Sequence, residues 1–167
     1  MNRLTLGLIG YGNVGQGVVK LLRARENFLR NKFNAEFSLK TICDRSIHNK
    51  DTRGLTNIRL TTNVAKVIND PNIDVVIELV GGLHPAREII LGALRSGKQV
   101  VTANKELLAH HGEELFQEAR QRNRSIYFES SVGAGGPIIK TITEGLAGNK
   151  FNALYGIING TCNFILS

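Results

Sequence analysis

"TLGLIGYGNVGQGVV", residues 5–19, decides how the rest of the chain is read. An apolar run ends at three glycines, Gly10, Gly12 and Gly15, spaced G-x-G-x-x-G. The hexapeptide alone is a weak signal. Its setting strengthens it, because the spacing predicts a strand over 3–9 before the glycines and a helix over 13–30 after them. In that setting Gly10 permits a tight turn, Gly12 lets the backbone approach a pyrophosphate, and Gly15 allows close helix–strand packing. The helix N-terminus then offers unpaired N–H groups to the anion.

Working outward, "EFSLKTIC" (36–43) reads as a second strand, and 44–60 as a polar, turn-rich loop with room for a short extra strand. A short helix around 63–69 stops at Pro71. "IDVVIELV" (73–80) has the continuous apolar, β-branched character of a strand buried on both faces. Helix 84–96, strand 98–102, helix 104–122 and strand 125–129 follow. Strands alternating with helices predict an α/β fold, a Rossmann-type doubly wound parallel sheet. After "SSVGAGGP" (130–137), a helix over 137–147 and a strand over 151–158 are expected as the first elements of a second, α+β domain. The expected division is therefore 1–136 and 137–167.

At 167 residues, 42% hydrophobic and 21% charged, the chain has ample material for one core. Its start is neither a signal peptide nor a spanning segment, so a cytoplasmic protein without a membrane association is expected. Cys43 and Cys162 are far apart and lack metal-ligand spacing. The formal charge is +7, and residues 20–59 carry ten Lys or Arg against four acids. These basic residues are scattered, with no aromatic platform and no nucleic-acid motif, which argues for a localised anion such as a phosphate rather than nucleic acid.

In a doubly wound sheet the ligand lies beyond the carboxyl ends of the strands. Asp44 closes the second strand, where it could accept hydrogen bonds from a ribose 2′-hydroxyl and favour NAD. Arg45 follows, with Lys50 and Arg53 close behind, where they could pair with a 2′-phosphate and favour NADP. The two tendencies are of similar size, and the surrounding positive charge tips the expectation towards NADP. Gly81 and Gly82 would let a nicotinamide ribose pass close to the backbone. Lys105 falls in the first turn of a helix, where the macrodipole favours an acid, so a ligand facing it is the expected compensation. The four histidines suggest no facing pair: His110 and His111 are adjacent on a helix and point about 100° apart.

The segments "GYGNVGQGVV" (10–19), "VIELVGGLHPAR" (76–87), "GKQVVTANKELLAHHG" (97–112), "YFESSVGAGGPII" (127–139) and "GIINGTCNFIL" (156–166) together resemble homoserine dehydrogenase. They occur in the family's order. The resemblance implies reversible reduction of aspartate 4-semialdehyde to homoserine with NADP or NAD, on the route to threonine and methionine. It implies that Tyr11, Asn13 and Val14 line the cofactor's phosphates and ribose. Lys105 would lie between cofactor and substrate, contacting the cofactor. A monovalent cation, usually sodium, would be held by main-chain oxygens of Glu129, Val132, Ala134 and Gly136. A small-molecule substrate and a homodimer of the full-length protein are also implied.

Three positions depart from the family's common pattern: Asn13 and Cys162 stand where Thr is usual, and Gly136 where a branched apolar residue is usual. The family's substrate-binding acids and its proposed acid/base lysine lie downstream of the N-G-T segment. The chain has seven residues after Gly160, so it is expected to bind cofactor without turning over substrate. Two other readings are open. One is a related two-domain oxidoreductase, such as a semialdehyde dehydrogenase or dihydrodipicolinate reductase. The other is a non-catalytic dinucleotide-binding regulatory module.

Overall fold

The computed structural model describes residues 2–133 and 135–156. Within the first of its two compact units, Met1–Tyr127, six strands form one parallel sheet in the order β3-β2-β1-β4-β5-β6. The strands are β1 (Asn2–Ile9), β2 (Ala35–Cys43), β3 (Arg59–Thr61), β4 (Val75–Glu78), β5 (Gln99–Thr102) and β6 (Ile126–Tyr127). The chain winds outward from β1 to β3, then crosses back to β4 and winds the other way. The reversal leaves a crevice between β1 and β4 at their carboxyl ends, the topological switch point where such sheets take their ligands.

Burial on both faces accounts for the composition of the central strands. Successive residues point to opposite sides of a sheet, and here they enter two different cores. Ile9, Cys43, Val76 and Val100 pack with helices α4 (Ala86–Arg95) and α5 (Lys105–Gln121). Their neighbours Leu8, Ile42 and Ile77 pack on the other side with Val19 of α1 (Asn13–Ala24) and with Ile47 and Leu55 of the loop between β2 and β3. The amphipathic stripe of α4 supplies Ile89, Ile90, Ala93 and Leu94, each 3% exposed or less. A short α3 (Ala65–Ile68) closes over β1, where the absent side chain of Gly7 makes room for Val67.

The single helix expected over 13–30 is two. α1 ends at Ala24, and α2 (Glu26–Phe33) follows across Arg25, then stops at Asn34 in the left-handed conformation (φ 49°). The reason lies in burial: Val19 is buried and Val18 and Leu22 are half-buried, but no residue of α2 is buried. α2 is held instead by a Glu26–Arg30 ion pair and by Phe33 edge-on to Phe37 of β2.

The second unit begins at Phe128. Residues 129–132 form a helical turn, α6 (Glu129–Val132), so β6 stops at Tyr127, short of the strand expected over 125–129. α7 (Ile138–Lys140) passes into a π-type turn over Thr141–Gly145, shorter than the expected helix over 137–147. The Glu129 carboxylate accepts the N–H groups of Ile139 and Lys140 at 2.9 Å each, so it ties α6 to α7. Of the strand expected over 151–158, residues 151–156 form no regular element and the remainder lies outside the described residues.

At the amino end of the sheet, Lys98 is 4% exposed and donates to the carbonyl oxygens of Asp70 and Ile73, both at 2.7 Å. Burial pushes its pKa down while Asp70 and Asp74 pull it up. Lys98→Met keeps the stem but strands two carbonyls. It is expected to cost about 1–3 kcal/mol of unfolding free energy, measured by urea denaturation.

Candidate functional site

The glycine turn is built by contact rather than by flexibility alone. Gly10 has φ +99°, and a Cβ there would lie 2.5 Å from the Leu79 carbonyl in the turn after β4. A Cβ on Gly15 would lie 2.2 Å from the carbonyl oxygen of Gly10. A Cβ on Gly12 would meet nothing within 4 Å. Two of the three glycines are therefore required by the fold, and the third faces open space. Behind it, α1 starts at Asn13 with no side-chain cap and no acid in its first turn, so its first N–H groups have no side-chain acceptor. Asn13 and Val14 are exposed there.

A cleft of about 270 Å³ runs from this turn along the ends of β1, β2 and β4. Gly10, Gly12, Asp44, Arg45, Ser46 and Lys50 line it, with Val64, Val80 and Ile89 supplying apolar surface. Asp44 has little spare capacity. One oxygen accepts from the Tyr11 N–H at 2.7 Å and from Lys50 Nζ at 2.5 Å, and the other from the N–H and hydroxyl of Ser46 at 2.8 and 2.9 Å. A carboxylate has about four acceptor positions, so all are in use. Burial alone would raise its pKa, but these hydrogen bonds, led by that from Lys50, hold it far below the ordinary carboxylate range. Lys50 thus neutralises the acid that the sequence offers to a ribose, whereas Arg45 is exposed with no ion pair among the described residues.

Tyr11 is 5% exposed and packs into the core with Leu6, Leu8 and Val19, and its N–H donates to Asp44. Cys43 is 1% exposed, with its thiol pushed up to about 11 by burial first and Asp44 second. A thiol so held is a poor nucleophile, which removes support for a cysteine-dependent semialdehyde dehydrogenase at this position. Cys162 lies outside the described residues.

On the other side of the switch point, Gly81 and Gly82 take φ +78° and +67° with open space beside them. Lys105 is exposed as the first residue of α5, with no ion pair among the described residues. Sequence reasoning missed what joins these two turns. Asn104 caps α5 by accepting the Leu107 N–H at 3.1 Å, and its amide donates to the Gly82 carbonyl at 2.7 Å. The cap was legible from an Asn at the head of the helix; its second bond was not.

In the second unit, Glu129 and Val132 lie in α6 and Gly136 between α6 and α7, and Ala134 lies outside the described residues. The Glu129 carbonyl accepts from the Gly133 N–H at 3.2 Å and that of Gly136 from Ile138 at 2.9 Å. Both oxygens close turns of their own segment. Among the described residues no group of three or more His, Cys, Asp or Glu is arranged to hold a metal, and no helix is long and apolar enough to cross a membrane.

Residues 10–129 match the family model described as the NAD binding domain of homoserine dehydrogenase, and 137–167 match the homoserine dehydrogenase model. The whole chain is 42% identical to the homoserine dehydrogenases of Bacillus subtilis and Pseudomonas aeruginosa, spanning 39% and 38% of their lengths. A homoserine dehydrogenase structure from Thiobacillus denitrificans superposes with a TM-score of 0.92 at 42% identity, covering 100% of this chain and 38% of that one. A hyperthermophilic archaeal homoserine dehydrogenase in complex with NADPH superposes at 0.71 and 26% identity, over 87% of this chain and 50% of that one. Since the matching models run from the glycine turn through both strand-end turns and into the second unit, the chain belongs to the homoserine dehydrogenase family.

Proposed function

We propose that this chain binds NADP(H), and that the protein it represents reversibly reduces aspartate 4-semialdehyde to homoserine, with a nicotinamide cofactor supplying or accepting the hydride. The observation that carries this is the uncapped start of α1 behind Gly12, at the switch point of a sheet whose chain is 42% identical to homoserine dehydrogenases. The first N–H groups of α1 would hold the pyrophosphate. Asp44 would brace the glycine turn through the Tyr11 N–H rather than serve chiefly as a ribose acceptor. With Asp44 neutralised by Lys50, a 2′-phosphate beside Arg45 meets net positive charge, which favours NADP over NAD.

Gly81 and Gly82 would admit the nicotinamide ribose, and Lys105 would contact the cofactor and orient the substrate, its charge offset there as it is not by the helix. No residue of this chain is assigned the proton transfer. No step is routed through a monovalent cation, although the Glu129 and Gly136 carbonyls, each accepting one N–H, would keep a second lone pair for one. A homodimer of the full-length protein, cytoplasmic, is part of the same reading.

Three measurements test it. NADPH fluorescence titration of Arg45→Ala should weaken NADPH by roughly tenfold to a hundredfold, with NADH changed by less than about threefold; equal losses would discard Arg45 as the phosphate reader. Gly12→Ala should keep the melting temperature but weaken NADPH binding, whereas Gly15→Ala should lose about 1–3 kcal/mol of stability through its clash with Gly10. In the full-length enzyme, Lys105→Ala should lower kcat by roughly 10²-fold with an unchanged circular dichroism spectrum; turnover near wild type would make Lys105 a surface lysine.

A further inference from the structure

Glu78 is the last residue of β4, next to Val76 and Ile77, and is fully buried. An apolar residue there would continue the strand, and desolvating a carboxylate is costly unless it is hydrogen-bonded. None of the ion pairs among the described residues includes it. Its partners are instead the two turns on either side of the nicotinamide end. One oxygen accepts the N–H of Val80 at 2.7 Å and, longer, that of Gly81 at 3.4 Å; the other accepts the Thr102 hydroxyl at 2.6 Å. The Thr102 hydroxyl oxygen in turn accepts the Asn104 N–H at 3.1 Å. Asn104 returns to the first turn through its 2.7 Å bond to the Gly82 carbonyl.

The bonds close a ring: Glu78, the 80–82 turn, Asn104, Thr102 and back to Glu78. Within it, the backbone that admits a nicotinamide ribose and the cap that places Lys105 have no independent freedom. We propose that Glu78 is a positioning residue, whose buried carboxylate sets the Gly81–Gly82 turn against the start of α5 and so preorganises the nicotinamide end of the cofactor site. The proposal rests on the dinucleotide-binding reading above. It predicts a larger effect at the nicotinamide end than at the adenosine end, because the adenosine end is built chiefly from β1, β2 and the glycine turn and meets the ring only at Val80.

The experiment titrates the chain with NADPH and with adenosine 2′,5′-bisphosphate, which has the adenosine end alone. In Glu78→Gln the amide oxygen can keep the Val80 N–H, but the amide N–H must then face Thr102 Oγ1, so the Thr102 bond reverses and the ionised acceptor of the ring is lost. NADPH is expected to bind at least about tenfold more weakly, with adenosine 2′,5′-bisphosphate changed by less than about threefold. Thr102→Val should give the same split and carries the test if Glu78→Gln does not fold. The double variant should lose no more than the worse single one, since both break the same ring. Equal weakening of the two ligands, or no weakening of either, would overturn the positioning role. Failure of the wild-type chain to bind NADPH would overturn the dinucleotide-binding reading itself.

Discussion

The 2.2 Å that separates a hypothetical Gly15 Cβ from the Gly10 carbonyl oxygen is the constraint from which the rest follows. It lets α1 leave β1 at once and lie against the sheet, so that its unpaired N–H groups arrive at the switch point rather than in solvent. The approach is braced from the neighbouring strand: Gly10 donates to the Cys43 carbonyl at 2.8 Å, and the Asp44 side chain takes the next N–H, that of Tyr11. A turn held by two bonds from β2 is preorganised for an anion, and preorganisation lowers the ordering cost of binding.

The same economy of space shapes the sheet. Because β1 and β4 are covered on both faces, consecutive residues belong to different cores, and no polar residue can be placed there cheaply. Polar groups therefore collect at the strand ends, where backbone turns supply donors. Asp44 and Glu78 end β2's extension and β4 in this way, but with different environments. Asp44 has a lysine partner and partial exposure, whereas Glu78 is buried with only hydrogen-bond donors around it. One braces the phosphate turn, and the other joins the turns on the far side of the crevice.

The positive charge concentrated in residues 20–59 is divided by the fold into different uses. Arg30 pairs with Glu26, Lys40 with Asp70, Lys50 with Asp44 and Arg53 with Asp51. The exposed Arg30–Glu26 and Arg53–Asp51 pairs add little stability. What distinguishes the segment is that Arg45 and Lys50 reach the cleft together while the acid between them and the glycine turn is already satisfied. The total charge was visible in the composition; its division between the cleft and the surface was a matter of which side chains the loop after β2 turns inward.

Residue order by itself determined the alternation of strands and helices, the doubly wound class, and the glycine turn with its three distinct duties. Each of these depends on local spacing and on chain sterics that any strand–turn–helix must obey. The break at Arg25 was decided by which helix faces found a partner. Likewise the burial of Tyr11 was decided by its packing against Leu6, Leu8 and Val19. The two acids show the difference most plainly. Asp44 could be picked out as a strand-end acid, yet only the loop that brings Lys50 back to it reveals that it is neutralised. Glu78 reads as one acid in an apolar run, and becomes the joint between two turns only because β4 and β5 lie side by side. Hydrogen bonds between residues 24 positions apart follow from strand pairing, which no local pattern encodes.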